Sequence, residues 1–154
     1  MLIKTVQFLA IVLTALALVP AGAHFFELPG KIGLSQADYF VVQDIYRGWA
    51  LFGIVLIAAI AVTLVLTVLR RRDGRRLLLA GSAFLLMVAT LAIFFTWTFP
   101  ANQLTQNWTV VPEDWRTLRS QWEYAHAVNA VLTFLALCAL AIEALIQEPP
   151  RSTG

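Results

Sequence analysis

The chain has 154 residues, of which 60% are hydrophobic and only 13% charged, and its mean hydropathy is +0.77. A soluble domain carries about twice that share of charge, so a water-soluble fold is excluded and lipid is the expected solvent. The formal net charge of +2 does not mark a nucleic-acid partner, because five arginines are concentrated between Arg70 and Arg76, and a basic run beside apolar spans is a topology signal.

Four apolar spans are read in chain order, at about 5–23, 48–69, 77–99 and 124–142. Each is close to the roughly 20 residues that a helix needs to cross about 30 Å of hydrocarbon. Unpaired backbone is not tolerated in lipid and strand alternation is absent, so all four are expected to be helices. The expected fold is an all-α integral membrane four-helix bundle, one domain over 1–147, with a disordered cytoplasmic tail over 148–154. The spans lack the polar mid-membrane residues that a channel or transporter needs.

The first span admits a second reading. Its apolar run followed by Ala21-Gly22-Ala23 matches a signal peptide with an A-x-A cleavage site, whose removal leaves three spans and exposes His24 as an amine-plus-imidazole copper ligand. Retention closes an even bundle and is the reading adopted. The connection 24–47 follows, in which Ser35 and Asp38 form a variant of the capping box and DYFVVQDIYRGW can run as helix into span two. Between spans two and three, the segment RRRDGRR carries a net charge of +4 and belongs on the cytoplasmic side, with both termini. The expected location is therefore the cell membrane, multi-pass, with an extracytoplasmic cap that is partly helical.

Pro29 and Pro100 mark the ends of spans one and three at the outer face. Pro112, Glu113 and Asp114 suit a helix first turn, so 112–146 can be one helix of about 50 Å whose first turns stand outside the bilayer. Asn107-Trp108-Thr109 is a glycosylation sequon in a eukaryotic host. Cys138 is the single cysteine, which excludes an intrachain disulfide and suits a packing or lipid-facing position.

The candidate site lies at the outer ends of spans one and four. His24 and Glu27 are spaced i, i+3, as are Glu123 and His126, so each pair shares a helix face. Two histidines and two carboxylates suit one divalent ion such as iron, manganese or zinc. Spans two and three supply no acidic residue for a second ion, so the expectation is one metal or none. Without a metal, the same groups form an interfacial polar network, with Arg119 and Arg47 as ion-pair partners for the glutamates. Trp115, Arg119, Trp122 and His126 form one helical stripe. With Asn102 and Asn129 it provides either a membrane-interface belt or a pocket for a flat aromatic or quinone-like ligand.

The pattern Pro100-x-Asn102, then Trp115-x-x-Leu118-Arg119-x-x-Trp122-Glu123-x-x-His126, resembles the anthrone oxygenase-like family of small four-span membrane proteins. The span-one ending with His24 and Glu27 is similar too, and the resemblance covers nearly the whole chain. It implies an oxidoreductase that converts polyketide anthrones to anthraquinones, with His126, Glu123, His24 and Glu27 as catalytic groups. Many members have Arg at the position of Asn129, and this departure implies a different ligand or an inactive member. The alternative is a non-enzymatic binding or accessory protein, such as a metal carrier, a subunit of a complex, or a haem carrier with His24 and His126 as axial ligands.

Overall fold

The computed structural model describes residues 1–146; the tail expected over 148–154 lies outside them. In chain order the helices are α1 (Leu2–Lys31), a short α2 (Gln36–Gln43), α3 (Phe52–Leu69), α4 (Gly74–Ile93), a short α5 (Phe99–Leu104) and α6 (Trp115–Leu145). No strand occurs among the described residues. Four helical stretches are long and apolar enough to cross a bilayer, so the chain is a multi-pass membrane protein of all-α class.

The long helices form a closed ring in which α1 packs on α3 and α6, and α4 packs on the same two. Small residues make the seams: Ala10, Ala59, Ala80, Ala83 and Ala136 are buried where helices meet. Between helices immersed in lipid, packing rather than hydrophobic burial drives association, and small side chains let the backbones approach. Phe8, Ile54, Leu85 and Phe134 instead point outward, as residues solvated by acyl chains do.

The end at the arginine loop is closed by charge. Glu143 of α6 is fully buried, and Arg70 Nε donates to its Oε1 at 2.6 Å while Gln7 Nε2 of α1 donates to Oε2. Arg76 donates to the Ile146 carbonyl at 2.6 Å. One carboxylate thus ties α1 and α6 to the residue that ends α3.

The opposite end is a folded cap, and it departs from expectation in three places. Pro29 does not end α1, which runs through Pro20 and Pro29 to Lys31; membrane helices tolerate proline when neighbours satisfy the freed groups. The helix beginning at Ser35 does form its capping contact, with the Asp38 amide donating to Ser35 Oγ at 3.2 Å and that hydroxyl donating to Asp38 Oδ2 at 2.6 Å. It does not run into span two, however. It stops at Gln43, passes through 3₁₀ turns at Asp44–Tyr46 and Trp49–Leu51, and turns at Gly48 with φ +89°, a conformation glycine adopts freely. Before Pro100 the backbone is wound as a π-helix over Phe94–Thr98, where Gln121 Nε2 of α6 donates to the Trp97 carbonyl at 2.8 Å. The long final helix forms as expected, but it starts at Trp115, with Asp114 as N-cap and Pro112 and Glu113 in the approach.

Because Arg70 and Glu143 are both buried, removing one strands the other's charge. Arg70→Ala and Glu143→Ala are each expected to lower stability by about 3–5 kcal/mol. Unfolding in detergent checks this, and loss of less than about 0.5 kcal/mol in either variant contradicts the assignment.

Candidate functional site

Helices α1 and α6 lie side by side, and their cap ends bring the two sequence pairs together. His24 and His126 stack with ring centroids 4.2 Å apart at 36°. Trp122 lies against both, 4.1 Å from His126 and 4.9 Å from His24. Tyr46 and Trp49 complete the surround at 4.4 and 5.5 Å from His24. His24 Nδ1 and His126 Nε2 are buried and have no hydrogen-bond partner.

These rings form part of the wall of a cavity of about 840 Å³ bordered by α1, α3, α4, α6 and the π segment, with residues of the cap at its lip. Asn102, Trp122 and Asn129 also line it. Asn102 Oδ1 accepts from Trp122 Nε1 at 2.8 Å, which fixes the indole. The Asn129 amide oxygen is buried without a partner. A cavity of this size, mostly apolar with a few convergent polar groups, is the ordinary form of a small-molecule site.

The carboxylates occupy a separate place. Glu123 is fully buried and does not line the cavity. Its Oε1 lies 2.9 Å from Lys31 Nζ and accepts from Tyr39 Oη at 2.9 Å. Gln43 Nε2 donates to that phenol at 2.5 Å. Lys31 also donates to Tyr46 Oη at 2.8 Å, and Tyr46 Oη donates to Glu27 Oε2. Lys31 therefore links a chain running Glu27–Tyr46–Lys31–Glu123–Tyr39–Gln43, half-buried at Glu27 and Tyr46 and buried from Lys31 onward. Buried charges persist only when paired and hydrogen-bonded; Glu123 meets this through Oε1, while its Oε2 is buried without a partner.

This arrangement revises several expectations. The expected metal set divides into an imidazole pair and a lysine-bound carboxylate pair. Among the described residues no three or more His, Cys, Asp or Glu side chains come together as a group that could hold a metal ion. Nor is there room for a porphyrin plane between imidazoles in ring contact. Arg119 and Arg47 are not the partners of the glutamates: Arg119 donates to the Leu34 carbonyl at 2.8 Å and stacks 4.8 Å from the Trp115 ring, while Arg47 pairs with Asp44 at 2.8 Å. Trp115 and Arg119 do not line the cavity. Trp115 is buried in the cap core with Tyr39, Trp108 and Leu118.

Lys31, Tyr39, Gln43 and Tyr46 went unread in the sequence. The available signal was that Lys31 continues the His24–Glu27 face at i+4 from Glu27. A further unexpected feature is the rim at Gln106, Asn107 and Trp108, three successive residues with φ of 48, 57 and 63°. Left-handed conformation costs roughly 1–2 kcal/mol per L-residue, and here it is held by burial of Trp108 and by its amide donating to Thr105 Oγ1 at 3.1 Å.

Compared with protein-family models, curated proteins and solved structures, the chain matches none. The geometry itself therefore carries the functional argument.

Burial, then the Glu123 charge, raises the Tyr39 phenol well above the ordinary tyrosine range, and burial with the Glu27 contact does the same for Tyr46. A folded-state pKa above the unfolded value of about 10 stabilises the fold below that pH, and the contribution is lost as pH rises beyond it. In an alkaline titration of tyrosinate absorbance, Tyr39→Phe and Tyr46→Phe should match the parent protein until the fold is lost. A smaller signal from either variant while folded would contradict the buried network.

Proposed function

We propose that the protein is a small membrane oxidoreductase of oxygenase type that acts on a flat, lipophilic aromatic substrate. The observation that carries this reading is the touching His24–His126 pair, with unpartnered nitrogens, in the wall of an aromatic-lined cavity. Buried polar atoms without partners cost free energy, and a native fold that keeps them calls for an explanation, a catalytic role being one. The resemblance to the anthrone oxygenase-like family supports the same reading, because His24, Asn102, Trp122 and His126 all line the cavity.

The reaction proposed is conversion of an activated ring CH₂ and dioxygen to C=O and water. The two carbon–hydrogen bonds break, one oxygen atom becomes the ketone oxygen, and the other leaves as water with both hydrogens. An imidazole of the pair accepts the first proton, leaving a carbanion delocalised into the adjacent carbonyl, and dioxygen is the oxidant. Of the four candidate catalytic groups, His24 and His126 border the cavity and Glu123 and Glu27 do not, so Glu123 and Lys31 act by fixing the cap ends of α6 and α1. In the same proposal the arginine loop and both termini face the cytoplasm, because basic residues are retained on that side.

The test uses protein in bilayer nanodiscs supplied with anthrone in air. Expected is anthraquinone formation with one dioxygen consumed per product, and a loss of about 10²-fold or more in His126→Ala. Absence of protein-dependent oxygen uptake overturns the oxygenase assignment.

A further inference from the structure

The cavity has two kinds of lip. Toward the cap, Asp44, Arg47, Gln106 and Asn107 are polar and exposed. Toward the side, the wall includes Phe52 and Ile57 of α3 and Phe95 of the π segment, which are 39%, 51% and 57% exposed. The wall residues of α1 (Ala17, Pro20, Ala21 and His24) are all buried or half-buried, as are those of α6. Against the buried or half-buried wall residues of α1 and α6, these exposed ones mark the more open side of the cavity, and the large apolar ones all lie on α3 and the π segment.

Two local features mark that side of the wall. The π turn displaces Phe94–Thr98 from regular helical register, and such bulges recur at functional sites. On the facing helix stands Gly53, exposed, bordering the cavity, and with no atom within 4 Å of where a Cβ would lie. Glycine in a helix is disfavoured by roughly 1 kcal/mol relative to alanine. Here it leaves empty space in the opening rather than permitting a close helix contact.

We infer that the seam between Gly53 and Phe95 is a lateral portal through which a lipid-dissolved ring compound enters the cavity directly from the bilayer. This rests on the proposed reading of the cavity as a lipophilic ligand site, but not on turnover. The occupant is a flat hydrophobic molecule: the lip offers aromatic and branched aliphatic side chains and no charge, which excludes headgroups and ions. The polar lip at the cap leaves a separate route for water and small polar species.

The experiment measures stopped-flow quenching of tryptophan fluorescence by anthraquinone in nanodiscs, since Trp49 and Trp122 line the cavity. Gly53→Leu should slow saturable association at least tenfold with no loss of thermal stability, because the added side chain meets open space. Gly53→Ala should keep the parental rate, as should Arg47→Trp at the polar lip. Parental kinetics in Gly53→Leu, or slowing in Arg47→Trp alone, overturns the portal while leaving the cavity reading intact. If the parent protein shows no saturable quenching, the cavity reading fails and the portal with it.

Discussion

The ion pair between Lys31 and Glu123 is the constraint on which the cap end depends. Both groups are buried at the ends of transmembrane helices, where an unpaired charge is costly. Their pairing at 2.9 Å therefore locks the last turn of α1 to α6. His24 lies seven residues before Lys31 and His126 three after Glu123, so the same lock sets the two imidazoles face to face. Tyr39 and Gln43 bring α2 onto the pair, and Tyr46 brings the chain entering α3. One electrostatic requirement thus draws the cap over the cavity and positions its imidazole wall.

A similar device at the other end, Arg70 with Glu143, joins α1 and α6 to the end of α3. Between the two locks the interior combines alanine and threonine seams with the buried side chains of Leu66, Met87 and Leu140. Charged pairs close both ends. Helix α4 is held by Arg76 donating to the Ile146 carbonyl, by small residues along its length, and by the π segment bonded to α6 through Gln121. The bundle can therefore be tight at both ends and still hold a cavity near one of them.

The four spans were legible because the solvent dictates them: a run of about 20 apolar residues in lipid has few alternatives to a helix. The approach of His24 to His126 was legible from their matching depth on two spans. Lys31 was not, because a lysine near a helix end is ordinarily read as an interfacial charge, and its burial depends on Tyr39 and Tyr46 arriving from a connection of unknown path. The stripe Trp115–Arg119–Trp122–His126 misled for a geometric reason. It extends about 16 Å along one helix face, so its early members belong to the cap core and only the later ones reach the cavity. The π turn had no sequence signal beyond Pro100.

The most direct test is a double-mutant cycle on the central pair, read as unfolding free energy in detergent micelles. Lys31→Met and Glu123→Gln should each cost about 3–5 kcal/mol, and the double variant less than either single one, because it strands no charge. Losses that simply add, or single variants as stable as the parent, would contradict the claim that this ion pair organises the site.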